Sequence, residues 1–148
     1  MRQTGYINPF RCQGHHCPNV LLRCLDPRFH AALAEALPAW LVEISGSRGF
    51  ASLGLPGGAQ AILDPAVRPV VFQALEITID RLGATGLVIA DHVDCRACGG
   101  SERHGSPQDE ERFHLDQLRQ ARQVVKEAYP GLATMLIYVD WDKITELQ

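Results

Sequence analysis

Cys24, His92 and Cys95 are the residues of this sequence best suited to hold a metal ion. Two thiolates and an imidazole form a good ligand set for zinc. Three protein ligands leave one coordination position open, as catalytic zinc sites do and structural sites avoid. Asp26 and Arg28 follow Cys24 closely and place a charged pair beside that open position. Taken alone, Asp26 also reads as a helix N-cap and Arg28 as a solvated side chain. Asp94 lies between His92 and Cys95, and reads equally as a polar loop residue or as a partner that orients the ligands. Cys98 completes a C-x-x-C with Cys95. It reads either as the second thiol of a redox pair or as a small apolar side chain that fills space. A dithiol redox protein would leave Cys24, His92 and the Asp26–Arg28 pair unexplained, so that reading ranks behind zinc.

The apolar pattern supplies the elements that must position these groups. Val20 to Cys24 reads as a buried strand. Asp26 or Pro27 opens a helix with Phe29, Leu33 and Leu37 on one face, and Pro38 closes it. Trp40 to Ile44 reads as a second strand, and the Gly-rich segment Ser45 to Gly58 as a loop long enough to cover a site. Asp64-Pro65 starts a helix that Gly83 ends. Gly86 to Ala90 is the third strand, and Asp91 to Gly105 is the loop that carries the chemistry. Ser106-Pro107-Gln108-Asp109 starts a long helix with Phe113, Leu118, Ala121, Val125 and Ala128 on its inner face. Thr134 to Val139 is the fourth strand, and Asp140 to Gln148 a polar tail. Strands alternating with helices predict an α/β fold: three layers, a mainly parallel sheet of about four strands, and helices on both faces. Such sheets bind ligands at the carboxyl ends of strands, where strand order reverses. Residues 1–18 read as an irregular arm and 19–148 as a single zinc domain.

The motif C-x-D-x-R in Cys24-Leu25-Asp26-Pro27-Arg28 and the motif H-x-x-C in His92-Val93-Asp94-Cys95 each close an apolar run. Together they resemble the β-class carbonic anhydrases, over most of the chain from Val20 to Asp140. The longer stretch HVDCRACGGS is similar to a divergent carbonic-anhydrase-like branch reading roughly H-x-D-C-G-A-Y-G-G. Arg96 stands where that branch has Gly, Cys98 where it has an aromatic residue, and Pro27 where the family has Ser. The resemblance implies strand order 2-1-3-4, with zinc (Zn2+) on Cys24, His92 and Cys95. It also implies an Asp26–Arg28 gate at the fourth position and a pocket loop containing Gly46. The implied reaction is hydration of carbon dioxide to bicarbonate by zinc-bound hydroxide, which would make the protein a carbonate-dehydratase-type lyase. A hydrolase of carbonyl sulfide or carbon disulfide, and a non-catalytic zinc-binding or regulatory module of the same fold, stay open beside it. A homodimer or higher homo-oligomer is implied by resemblance alone.

Composition narrows the partners. The chain has 148 residues, 46% hydrophobic and 21% charged, the balance of a globular protein with a real core. Its 14 Lys and Arg are scattered and its net charge is −3, so no nucleic-acid or membrane partner is expected. A small-molecule substrate and a cytoplasmic location are the expectation. Five cysteines are an odd number, which favours metal or thiol chemistry over a disulfide framework. Cys12, His15, His16 and Cys17 have the ingredients of a zinc knuckle, but read as exposed or locally packed residues.

Overall fold

The computed structural model describes residues 15–147. Residues 1–14, which include Cys12 and most of the expected arm, and residue 148 lie outside the described residues. A five-stranded sheet is ordered β2-β1-β3-β4-β5, with β1 Asn19–Arg23, β2 Ala51–Gly54, β3 Gly86–His92, β4 Ala133–Val139 and β5 Ile144–Leu147. The first four strands are parallel and β5 pairs antiparallel with β4. Helices α1 (His30–Ser45), α2 (Gln60–Leu63), α3 (Arg68–Leu82) and α4 (Pro107–Ala128) flank it. Every residue of β3 is buried, so both faces of the sheet are covered there. Leu21, Leu22, Leu87, Ile89, Leu136 and Ile137 of the strands form one core with Leu37, Leu41, Leu75 and Leu118 of the helices. Among the described residues no helix is long and apolar enough to cross a membrane.

Strands β1, β3 and β4 fall where the apolar runs place them. The α4 start is as expected too: Ser106 Oγ accepts from the Asp109 amide, with Pro107 at the first helical position. Three expectations are corrected. Trp40 to Ile44 is not a strand but the second half of α1, which runs through Pro38. Leu33, Leu37 and Leu41 keep one buried stripe on both sides of that proline. Packing of this stripe outweighs the loss of one backbone hydrogen bond. Val42 and Ile44, which made the segment look like a strand, are 42% and 49% exposed. The second strand lies instead inside the Gly-rich segment, as Ala51–Gly54, and pairs in parallel with Val20–Arg23. The polar tail contributes β5 at the sheet edge.

Candidate metal centre

Chain topology makes the site. From β1 the chain goes to β2 on one side, and later to β3 on the other. The reversal opens a crevice at the carboxyl ends of β1 and β3. Cys24 leaves β1 and His92 ends β3. The Cys24, His92 and Cys95 ligand atoms all lie within 4.8 Å of one another, and all three residues are buried. The two sulfurs are 3.8 Å apart. Two thiolates about 2.3 Å from a tetrahedral zinc would stand roughly 3.8 Å apart.

His92 is set for coordination. Its Nδ1 donates to the Val93 carbonyl at 2.7 Å, which fixes the tautomer and leaves Nε2 with a lone pair. That Nε2 is buried and, among the described residues, has no hydrogen-bond partner. Such an orphan costs free energy unless something binds it. Phe29 stacks on the imidazole with ring centroids 4.4 Å apart and fixes its plane. By themselves the two thiols keep their protons. The mutual hydrogen bond with Cys95, then burial, pushes Cys24 up to about 11. The Cys24 bond favours the Cys95 thiolate, yet contact with Cys98 and burial push Cys95 up to about 11 as well. A divalent cation supplies the charge that stabilises both thiolates together. The donor set, the sulfur separation and the orphaned nitrogen therefore fit zinc.

Asp26 and Arg28 stand at the rim. Arg28 Nε lies 3.0 Å from both Asp26 carboxylate oxygens, and its Nη2 donates to Oδ2 at 2.6 Å. Asp26 Oδ1 also accepts from the Arg28 amide and caps the Pro27–Phe29 turn that leads into α1. The N-cap reading and the charged-pair reading of Asp26 therefore hold together. Its hydrogen bond with Arg28 lowers the Asp26 carboxyl to about 2. The pair's contribution to stability is thus full above the ordinary value of 3.8, and is lost as pH falls through about 2. Asp94 joins the same guanidinium, accepting from Arg28 Nη1 at 2.9 Å.

Cys98 is 1% exposed and packs with Cys24, Cys95 and Phe113. Its thiol donates to Gln60 Oε1 at 3.2 Å and lies 3.6 Å from Gln117 Oε1. Gly46 is corrected. It ends α1 in the left-handed conformation, φ 69°, because the segment before it is helix. Its neighbours Ser45, Ser47 and Gly49 accept from the Asn19 side chain, at the start of β1 and hence the opposite end of that strand from Cys24. The glycines at the site are Gly57 and Gly58, after β2. The Gly57 amide donates to Cys24 Sγ at 3.4 Å.

The polar groups behind this loop carry no sequence motif. Asp91 is 2% exposed; its Oδ1 accepts from the Ala59 amide at 2.8 Å and its Oδ2 lies 3.3 Å from Nδ1 of the fully buried His114. Glu110, 2% exposed, accepts from the Asp94 amide and from Ser101 Oγ. The only signal was their spacing. Glu110 and His114 continue the buried stripe of Leu118, Ala121 and Val125 on α4, two polar residues where apolar ones are the rule.

Solved structures show what this frame is. A tetrameric β-carbonic anhydrase from the filamentous ascomycete Sordaria macrospora aligns with 91% of this chain and 82% of its own, at TM-score 0.59 and 13% identity. The fold is that of the β-carbonic anhydrases. The β-carbonic anhydrase CafA of Aspergillus fumigatus gives TM-score 0.60 over 95% of this chain and 79% of its own, at 16% identity. CafD of the same fungus gives 0.53 over 96% and 95%, at 14% identity. No protein-family model matches the chain, and no curated protein matches it significantly. The β-carbonic-anhydrase-like strand order 2-1-3-4, expected from the resemblance, is present and extended by β5.

Proposed function

We propose that the chain is a zinc-dependent, β-carbonic-anhydrase-like enzyme that hydrates carbon dioxide to bicarbonate. One observation carries this reading: Cys24, His92 and Cys95 converge, with His92 Nε2 orphaned, beside the Asp26–Arg28 pair. Zinc bound there would supply the Lewis acidity that makes water nucleophilic toward a small electrophile near neutral pH. The protein's own residues do the rest. Cys24, His92 and Cys95 would hold the ion, and the Gly57 amide steadies the Cys24 sulfur. Arg28 holds Asp26 in place, and the Asp26 carboxylate is the acceptor that orients the proton of the attacking water. The tetrameric Sordaria enzyme supports a homo-oligomer for this chain too.

Metal analysis with stopped-flow carbon dioxide hydration on freshly reduced protein tests the reading. One zinc per chain with turnover supports it. One zinc without turnover leaves a non-catalytic module, or a hydrolase that carbonyl sulfide and carbon disulfide assays would reveal. In Arg28→Ala, turnover is expected to fall on the order of a hundredfold, the usual loss on removing one group that organises charge at a reacting centre. Zinc content should stay as in wild type. An equal loss of zinc and turnover would assign Arg28 to the fold alone.

The place of Cys98 against Cys95 gives the thiols a second chemistry. Hydrogen peroxide would oxidise the Cys95 thiolate and the Cys98 thiol to a disulfide, itself reduced to two waters with uptake of one proton, and a bound zinc would lose one ligand. Mild peroxide is expected to release zinc faster from wild type than from Cys98→Ser, with the Cys95–Cys98 bond visible by mass spectrometry. Equal rates would leave Cys98 as packing beside Gln60 and Gln117.

A further inference from the structure

Among the described residues, Asp94 is the only non-glycine residue with positive φ, at 54°. Such a conformation persists where the surroundings enforce it. Here the Asp94 amide donates to Glu110 Oε1 at 2.8 Å, and Asp94 Oδ1 accepts from the Ser101 amide at 3.1 Å. The second Glu110 oxygen accepts from Ser101 Oγ at 2.7 Å, so one buried carboxylate ties both ends of this loop. Glu110 lies in the first turn of α4, where the helix dipole favours a negative charge. It makes no ion pair among the described residues. Held this way, Asp94 presents Oδ2 and its own carbonyl to Arg28 Nη1 and Nη2, at 2.9 and 3.0 Å. The other edge of the guanidinium belongs to Asp26. Arg28 is therefore gripped from two sides by groups on separate loops, and its planar fork leaves it little freedom.

We propose that Asp94 and Glu110 are positioning residues for Arg28: Glu110 sets the Asp94 loop, and Asp94 pins the guanidinium where it draws Asp26 away from the Cys24–His92–Cys95 cluster. This rests on the metal reading above. Arg28 is 38% exposed, so without the Asp94 grip it swings toward solvent and Asp26 is free to take the fourth metal position.

The test uses Co2+-substituted protein, with azide as the probe of the open position and the visible spectrum as the readout of coordination. Asp94→Gly tolerates the positive φ and removes only the side chain. It should bind as much cobalt as wild type but bind azide on the order of tenfold more weakly, the size of one charge-assisted hydrogen bond. Asp94→Asn keeps acceptors and tolerates the backbone, and should stand near wild type. Adding Asp26→Ala to Asp94→Gly should restore azide affinity, because the competing carboxylate is gone. Glu110→Ala should weaken azide as Asp94→Gly does, and Glu110→Gln, which keeps an acceptor for the Asp94 amide, should not. Unchanged azide affinity and spectrum in Asp94→Gly would overturn the proposal alone. Weakened affinity that Asp26→Ala fails to restore would do the same. Failure of wild type to take up cobalt or zinc would overturn the metal reading and this proposal with it.

Discussion

Cys24→Ala is expected to lose nearly all its zinc on dialysis, while Cys12→Ala keeps it. Zinc bound by full protein ligand sets is worth roughly 10–16 kcal/mol. Losing one of three protein ligands removes a substantial share of that, enough for affinity to fall on the order of a thousandfold. His92→Ala and Cys95→Ala should behave alike, because the three candidate ligand atoms lie within 4.8 Å of one another, close enough to share one ion. Elemental analysis of dialysed protein reads the outcome, and circular dichroism verifies that each variant keeps its secondary structure. Full zinc occupancy in Cys24→Ala would remove the assignment.

Gly58→Ala is expected to destabilise the protein by about 3 kcal/mol, combining a left-handed backbone with overpacking. Gly58 has φ 52°, and a Cβ there would stand 2.5 Å from the Ala90 carbonyl oxygen and 2.5 Å from Asp91 Oδ1. Neither obstacle is a flexible chain end: one is strand backbone, and the other is held by the Ala59 amide and His114. Gly131 is the control, since a Cβ there meets nothing within 4 Å. Urea unfolding of both variants decides it. A Gly58→Ala midpoint matching that of Gly131→Ala would show that the turn after β2 relaxes freely.

The legible parts of this chain were those where local pattern and tertiary role agree. Gly86–His92 is a continuous run because β3 is covered on both faces, and Ser106-Pro107 announces α4 because capping is local chemistry. The candidate trio Cys24, His92 and Cys95 stood out for a similar reason: thiols and an imidazole at strand ends are unusual, and the structure brings these three together. Trp40 to Ile44 misled because apolar residues on an exposed helix surface look like a strand, and only the sheet beneath shows that Leu41 alone is buried there. Ala51–Gly54 was invisible because a short, half-buried edge strand of small residues carries no alternation. Gly46 stands away from the pocket for the same reason: the segment before it is α1, so it caps a helix. Glu110, Asp91 and His114 were hidden because the partners that justify a buried polar group are remote in sequence: Asp91 and His114 are 23 residues apart.

The two sulfurs of the cluster are separated by 71 residues of chain, yet meet at the carboxyl ends of the paired strands β1 and β3. An ion held by both is therefore a detachable cross-link. By the chain-entropy estimate used for disulfides, a loop of that span restricts the unfolded chain by about 4 kcal/mol. Free zinc would then act as a thermodynamic ligand of folding, and the fraction of folded chains would rise with the metal concentration around them. A chelator would lower the unfolding midpoint, and the protein's lifetime would track the metal supply of its surroundings.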